Sequence, residues 1–206
     1  MDTYTKRERT IYLLGVLGQN LIYGVIGTGL TYYFQSVIFL PALAISTITL
    51  LSKIAEFLCD PYVGMRIDRS PNTKGKCRTY LIFSPLPIFI FSLLCFLNRP
   101  YTAAETSTAR LGILLAAGLS FIGFGICFCF GDVALWTLPN LMTKSRKDRN
   151  ALLAQARIVA GICGAGISLL LLPLSQAAGN HFSKQLNDPT LGLQMGTVLV
   201  CGSFLF

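Results

Sequence analysis

Three carboxylates stand apart from the other charges of this sequence. Glu56 and Asp60 lie four residues apart in an otherwise apolar stretch, with Lys53 three residues before Glu56. Asp132 comes after the uncharged run Leu111–Gly131 and is followed four residues later by Trp136. Offsets of three and four put side chains on one face of a helix, so Lys53, Glu56 and Asp60 share a face, as do Asp132 and Trp136. Arg157 stands at the edge of a further apolar run, and Gln19 and Asn20 sit in the middle of the first one. A charged side chain in hydrocarbon costs about 2.5–3.5 kcal/mol on insertion scales, so it faces a partner or an aqueous cavity. Pairing Lys53 with Glu56 and Arg157 with Asp132 would neutralise most of this set and fix helix packing. Two positive against three negative groups still leaves one carboxylate over, which either takes a proton or holds a cation. Asp132 has a second possible use. A carboxylate accepts hydrogen bonds from vicinal hydroxyls, an indole face one turn away packs on the C–H face of a pyranose, and Arg157 would add donors. The competing reading of Trp136 is an aromatic anchor at the membrane interface, since it precedes Lys144 by eight residues.

The elements that carry these groups follow from composition. Of 206 residues, 53% are hydrophobic and 13% charged, against about a quarter charged in soluble domains. Ile11–Ser52 contains no charged residue, and a single membrane crossing needs only about 20 residues, so this run holds two crossings. Thr79–Asn98, Leu111–Gly131, Ile158–Ser183 and Pro189–Phe206 are also uncharged. The pattern predicts an all-α polytopic membrane protein with six spanning helices, roughly 11–36, 41–65, 79–98, 111–138, 151–178 and 190–206. Helices are the default because lipid offers no partner to an exposed backbone amide. A secreted globular domain, a nucleic-acid module and a disordered chain are excluded. The first apolar run is too long for a signal peptide and lacks a small-residue cleavage site.

The net charge of +8 then reads as topology. Lys6, Arg7 and Arg9 precede the first helix; Arg66, Arg69, Lys74, Lys76 and Arg78 join the second and third; Lys144, Arg146, Lys147 and Arg149 join the fourth and fifth. These twelve of the 17 basic residues fall on one side, against Arg99, Arg110 and Lys184 on the other. Positive-inside counting puts the N-terminus and both basic loops in the cytoplasm, and the cytoplasmic (inner) membrane is the expected location. The seven cysteines show neither CxxC nor a zinc pattern and read as packed, reduced thiols. There is no phosphate-binding loop, Gly-x-Ser-x-Gly or HExxH, so neither ATP hydrolysis nor classical hydrolytic chemistry has a basis, and no cofactor or metal is expected. The glycines of the first, fourth and fifth helices, including Gly24, Gly27, Gly123, Gly125, Gly161 and Gly164, would allow close helix approach.

Two blocks of the sequence resemble a known family. Glu56, Asp60, Pro61, Gly64, Asp68 and Arg69, followed by Lys74, Gly75, Lys76 and Arg78, are similar to the D-x-x-x-D-P-x-x-G-x-x-x-D/N-x-T/S signature and the G-K-x-R/K-P that follows it. These are found in the glycoside–pentoside–hexuronide:cation symporters, the melibiose-carrier group of the major facilitator superfamily. Asp132, Trp136 and Pro139, followed by Asp148, Arg149 and Arg157, resemble the helix 4–loop–helix 5 region of the same family. That fold has two six-helix halves, each a 3+3 inverted repeat, and the resemblance covers the N-terminal half only.

The resemblance implies a cation-coupled secondary transporter of a glycoside or related sugar. It puts Glu56 and Asp60 at the cation site and Asn20, Asp132, Trp136 and Arg157 at the sugar site. Gly64, Asp68, Arg69, Gly75 and Arg78 fall in the cytoplasmic gating loop. Partners are then a small sugar, the bilayer and the missing C-terminal half. Asn20 stands where melibiose carriers have an Asp, which argues for a sugar other than an α-galactoside. Cys59 and Cys129 stand where sodium-using carriers have Asn and Thr. Sodium prefers oxygen and thiols suit soft metals, so protons are favoured over sodium as the coupling ion. Three alternatives are open: a truncated gene remnant, a membrane scaffold that transports nothing, and a half-transporter that homodimerises. The helix expected at 190–206, with no basic flank after it, is what a truncation would leave. An enzyme is the least favoured class, because no nucleophile accompanies the carboxylates.

Overall fold

A computed structural model describes residues 4–69, 77–97, 101 and 106–186. The helix expected at 190–206 and Gly75 of the loop lie outside the described residues.

The first span is one continuous helical run. α1, Lys6–Gly24, opens on a capping box in which the Glu8 amide donates to Thr5 Oγ1 at 3.3 Å and the Thr5 amide to Glu8 Oε2 at 2.7 Å. These bonds satisfy two of the amides that a helix start leaves unpaired, so the helix begins among charged residues ahead of the apolar run. A π-helical turn, Val25–Leu30, joins α1 to α2, Thr31–Ser36. The chain reverses at Phe39, which is in the left-handed region (φ 58°). The reversal is tied down by the Tyr101 amide donating to the Ile38 carbonyl at 2.8 Å. α3 runs from Ala42 to Asp68.

The third span, expected as a single helix at 79–98, is divided into α4, Arg78–Phe83, and α5, Pro85–Phe96, with Ser84 between them. Pro85 and Pro87 lack an amide hydrogen and interrupt the ladder there. α6 spans Ser107–Met142 and α7 spans Arg146–Leu186. Both outrun the expected bounds at 111–138 and 151–178: Arg110 and the cluster from Arg146 to Arg149 lie inside their first turns, and at the other ends the helices run on past 138 and 178 without a break. Five helical runs are thus long and apolar enough to cross a membrane among the described residues, and the chain is a multi-pass membrane protein of all-α class.

α6 is the centre of the bundle. α3 and α5 pack against it, while α1 packs along α7. The main core gathers Val25, Leu30, Tyr33, Phe34, Phe96 and Phe124 around the π-helical turn. Outward-facing side chains are as apolar as inward ones: Leu43 is 83% exposed, Phe57 75% and Leu169 74%. In water such surface would demand a partner; in lipid it is the solvated face. Hydroxyls on these spans bond back to their own helix, as in Ser46 to the Ala42 carbonyl (2.9 Å), Thr47 to Leu43 (2.8 Å) and Thr137 to Val133 (2.6 Å). Such bonds keep these particular donors from standing bare in hydrocarbon.

The expected glycine contacts are realised selectively. A Cβ on Gly24 would stand 3.2 Å from Ile167, and one on Gly125 would stand 2.8 Å from Glu56 Oε1 and 3.0 Å from Ser52 Oγ. At Gly27, Gly161, Gly164 and Gly166 nothing lies within 4 Å, so these do not mediate helix contacts among the described residues. Overpacking of this kind costs about 1–3 kcal/mol. Gly125→Ala is therefore expected to lower the melting temperature of the detergent-purified gene product. Gly118→Ala, whose Cβ would meet only Ile48 at 3.7 Å, should melt with the parent.

Candidate substrate and cation site

The approach of α3 to α6 at Gly125 brings the two carboxylate-bearing faces together, and α1 closes the space from the side. A cavity of about 200 Å³ results, lined by Gln19, Asn20 and Tyr23 of α1, Glu56 and Asp60 of α3, and Phe128, Cys129 and Asp132 of α6. Four of the six residues that the resemblance puts at the two ligand sites, Asn20, Glu56, Asp60 and Asp132, therefore share one space.

Each carboxylate has its own partner. Lys53 Nζ lies 2.6 Å from Glu56 Oε2, the pair that the offset of three allows on one helix face. Asp60 Oδ1 accepts the Cys129 thiol across the helix interface at 2.9 Å. Asp132 Oδ1 accepts two neutral donors, the Gln19 side-chain amide and the Trp136 indole N–H, the latter at 3.0 Å. The Asn20 side-chain amide donates to the Val16 carbonyl at 2.8 Å, which leaves its oxygen as the group available to the cavity.

Two readings of the sequence change here. The ion pair between Arg157 and Asp132 is not formed. α7 packs through Leu152, Ala156, Cys163, Ile167 and Leu171, which are buried, and Arg157 follows Ala156 by one residue, about 100° around the helix. Its side chain is exposed and is not among the residues lining the cavity. Trp136 does not line the cavity either. Its ring packs with Tyr12, Val16, Leu135, Leu152 and Ala156, and its N–H orients Asp132. Its link to the cavity is this hydrogen bond to Asp132.

Gln19 and Tyr23 were not assigned to a site from the sequence. Gln19 was visible as a polar residue in an apolar run, and Tyr23 follows it by four residues on the same face. Gln19 Oε1 is buried with no hydrogen-bond partner. Of the loop residues, Gly64 lies within α3, Asp68 ends it, Arg69 caps it, and Arg78 begins α4. A second, larger cavity of about 560 Å³ runs between α1, α4, α5 and α6 and is mostly apolar, with Ile11, Tyr12, Leu81, Ile88 and Leu138 in its wall. It shares Gln19, Phe128 and Asp132 with the polar cavity. The six described cysteines are free thiols.

Long apolar helices gathered around a polar cavity define a multi-pass membrane protein. Residues 11–206 match the family described as MFS/sugar transport protein, and the chain belongs to that family. The uncharacterized symporter YnaJ of Bacillus subtilis (strain 168) is 27% identical over 94% of this chain and 41% of its own length. The isoprimeverose transporter of Lactiplantibacillus pentosus is 27% identical over 81% of this chain and 33% of its own length. The raffinose carrier protein of Pediococcus pentosaceus is 29% identical over 80% of this chain and 27% of its own length. The chain thus spans well under half the length of these relatives.

The bond from Gln19 to Asp132 is partly buried, and leaving a buried polar group without its partner costs about 1–3 kcal/mol. Gln19→Leu should consequently destabilise the purified gene product in a thermal melt, whereas Gln19→Asn, which keeps an amide on a shorter side chain, should recover part of the loss.

Proposed function

We propose that this chain is the N-terminal half of a cation-coupled secondary transporter that carries a glycoside or related sugar across the cytoplasmic membrane. The observation that carries the reading is the cavity in which Asn20, Glu56, Asp60 and Asp132 meet among apolar helices. The names of relatives that transport isoprimeverose and raffinose point to the same substrate class. In a bilayer such a cavity is costly unless it has a solute to hold. Asp132 and the unpartnered Gln19 oxygen are acceptors for sugar hydroxyls, and the Asn20 oxygen is a third. At about 200 Å³ the space is below the lower end of ligand pockets, about 300 Å³. The remaining wall belongs to a second half, which rocks against this one around the site to give alternating access.

Asp60 is the seat we assign to the coupling ion. Its nearest donor is the soft sulfur of Cys129, which suits a proton better than sodium, a hard cation that prefers oxygen ligands. The N-terminus and the two basic loops lie in the cytoplasm on this reading, following the distribution of Lys and Arg. The test is sugar binding by the complete gene product, screened with labelled isoprimeverose, raffinose and a glucuronide at two pH values, with and without sodium. Asp132→Asn should abolish binding of whichever sugar is taken, and retained affinity would overturn the assignment. A lower sugar Kd on adding sodium at constant pH would overturn the proton preference.

A further inference from the structure

Lys53 lies in the apolar stretch that the cation site occupies, yet none of the roles above uses it. Its ammonium is held by three contacts. Nζ is 2.6 Å from Glu56 Oε2, 3.4 Å from the Tyr23 hydroxyl, and 5.3 Å from the centre of the Tyr23 ring. These are the contacts of a bound cation: a carboxylate oxygen, a neutral oxygen and an aromatic face. Lys53 reaches Glu56 from a neighbouring cavity of about 150 Å³, lined by Thr49, Lys53, Glu56 and Tyr23 among others. Glu56 and Tyr23 therefore separate two spaces: the polar cavity on one side and the space holding Lys53 on the other.

The charge balance of the polar cavity follows. Its charged lining residues are Glu56, Asp60 and Asp132. Glu56 is paired with an ammonium, while Asp60 and Asp132 receive neutral donors, a thiol and an amide with an indole. Arg157 pairs with none of them. A free alkali cation at Glu56 would compete with Lys53 for Glu56 Oε2 and the Tyr23 hydroxyl, and would meet the positive charge of the ammonium there.

We propose that Lys53 is a built-in cation, filling the Glu56 part of the cation site so that Asp60 alone is left for an ion from solution. This rests on the carrier reading for its biological meaning, but its test does not depend on which sugar is carried. The probe is radioactive sodium, measured by equilibrium binding to the detergent-purified complete gene product, with each variant required to elute as a single species on gel filtration.

Lys53→Met vacates the seat and should raise sodium affinity by about tenfold or more, equivalent to about 1.4 kcal/mol per factor of ten. Lys53→Arg keeps a positive charge and should bind sodium as the parent does. The double variant Lys53→Met with Glu56→Gln should lose the gain. A parent that already binds sodium as tightly as Lys53→Met, or a gain that survives in the double variant, overturns the proposal. Should Lys53→Met not elute as a single species, the parent background decides. Residual sodium binding lost in Asp60→Asn and kept in Glu56→Gln supports the assignment, and the reverse pattern defeats it. Failure of every sugar to bind would sink the carrier reading while leaving the sodium result intact.

Discussion

A carboxylate inside a bilayer has no water to stabilise its charge, so it must find a donor on its own or a neighbouring helix, or keep its proton. Three carboxylates on two facing helices impose that demand repeatedly, and the packing of the bundle follows from how it is met. α3 can approach α6 closely enough for Cys129 to reach Asp60 because Gly125 leaves room beside Glu56 and Ser52. α1 must present Gln19 toward α6 because Asp132 needs the amide. The rotation that does so also turns Asn20 and Tyr23 into the same space. One electrostatic requirement therefore sets the facing of three helices.

Elsewhere the membrane asks for much less. The outward faces of α3, α5, α6 and α7 carry Leu, Ile and Phe without a defined partner, since lipid tails solvate them as well as other side chains would. Apolar periodicity is accordingly weak as a guide to which face packs inward. Small residues do not mark contacts by themselves either: Gly24 touches Ile167, while Gly161, Gly164 and Gly166 meet nothing within 4 Å. The polar groups specify the inner face more sharply than the apolar ones.

This explains what could be read from the sequence. The spans were legible because uncharged runs of this length have no other use, and Glu56, Asp60 and Asp132 were legible because each interrupts such a run. The pairing of Lys53 with Glu56 followed from their spacing within one helix. Cross-helix partners were another matter. Arg157 balanced Asp132 on paper, yet the rotation of α7 is fixed by Leu152, Ala156 and Ile167, and no local pattern reports that angle relative to α6. Trp136 shared the face of Asp132 as its spacing requires, but whether the ring or only its N–H serves the cavity depended on α1 and α7 filling the space around it. The break at Ser84 coincides with Pro85 and Pro87 but was not read as a break in the span expected at 79–98, and the extension of α6 and α7 past their expected bounds was hidden, because helices end at caps and charges alone do not end them.

The arrangement also bears on how two ligand seats in one cavity can sense each other. Tyr23 holds the Lys53 ammonium with its hydroxyl and its ring. The same ring lies 5.3 Å from that of Phe128, and Phe128 walls both the polar cavity and the apolar one beside Asp132. Lys53, Tyr23, Phe128 and the space in front of Asp132 are thus in continuous contact over two helix interfaces. A change in what Glu56 holds alters the contacts of Tyr23 with the Lys53 ammonium, and Tyr23 has Phe128 as its neighbour on the side of Asp132. The electrostatic partner of one carboxylate is in this way part of the wall around another.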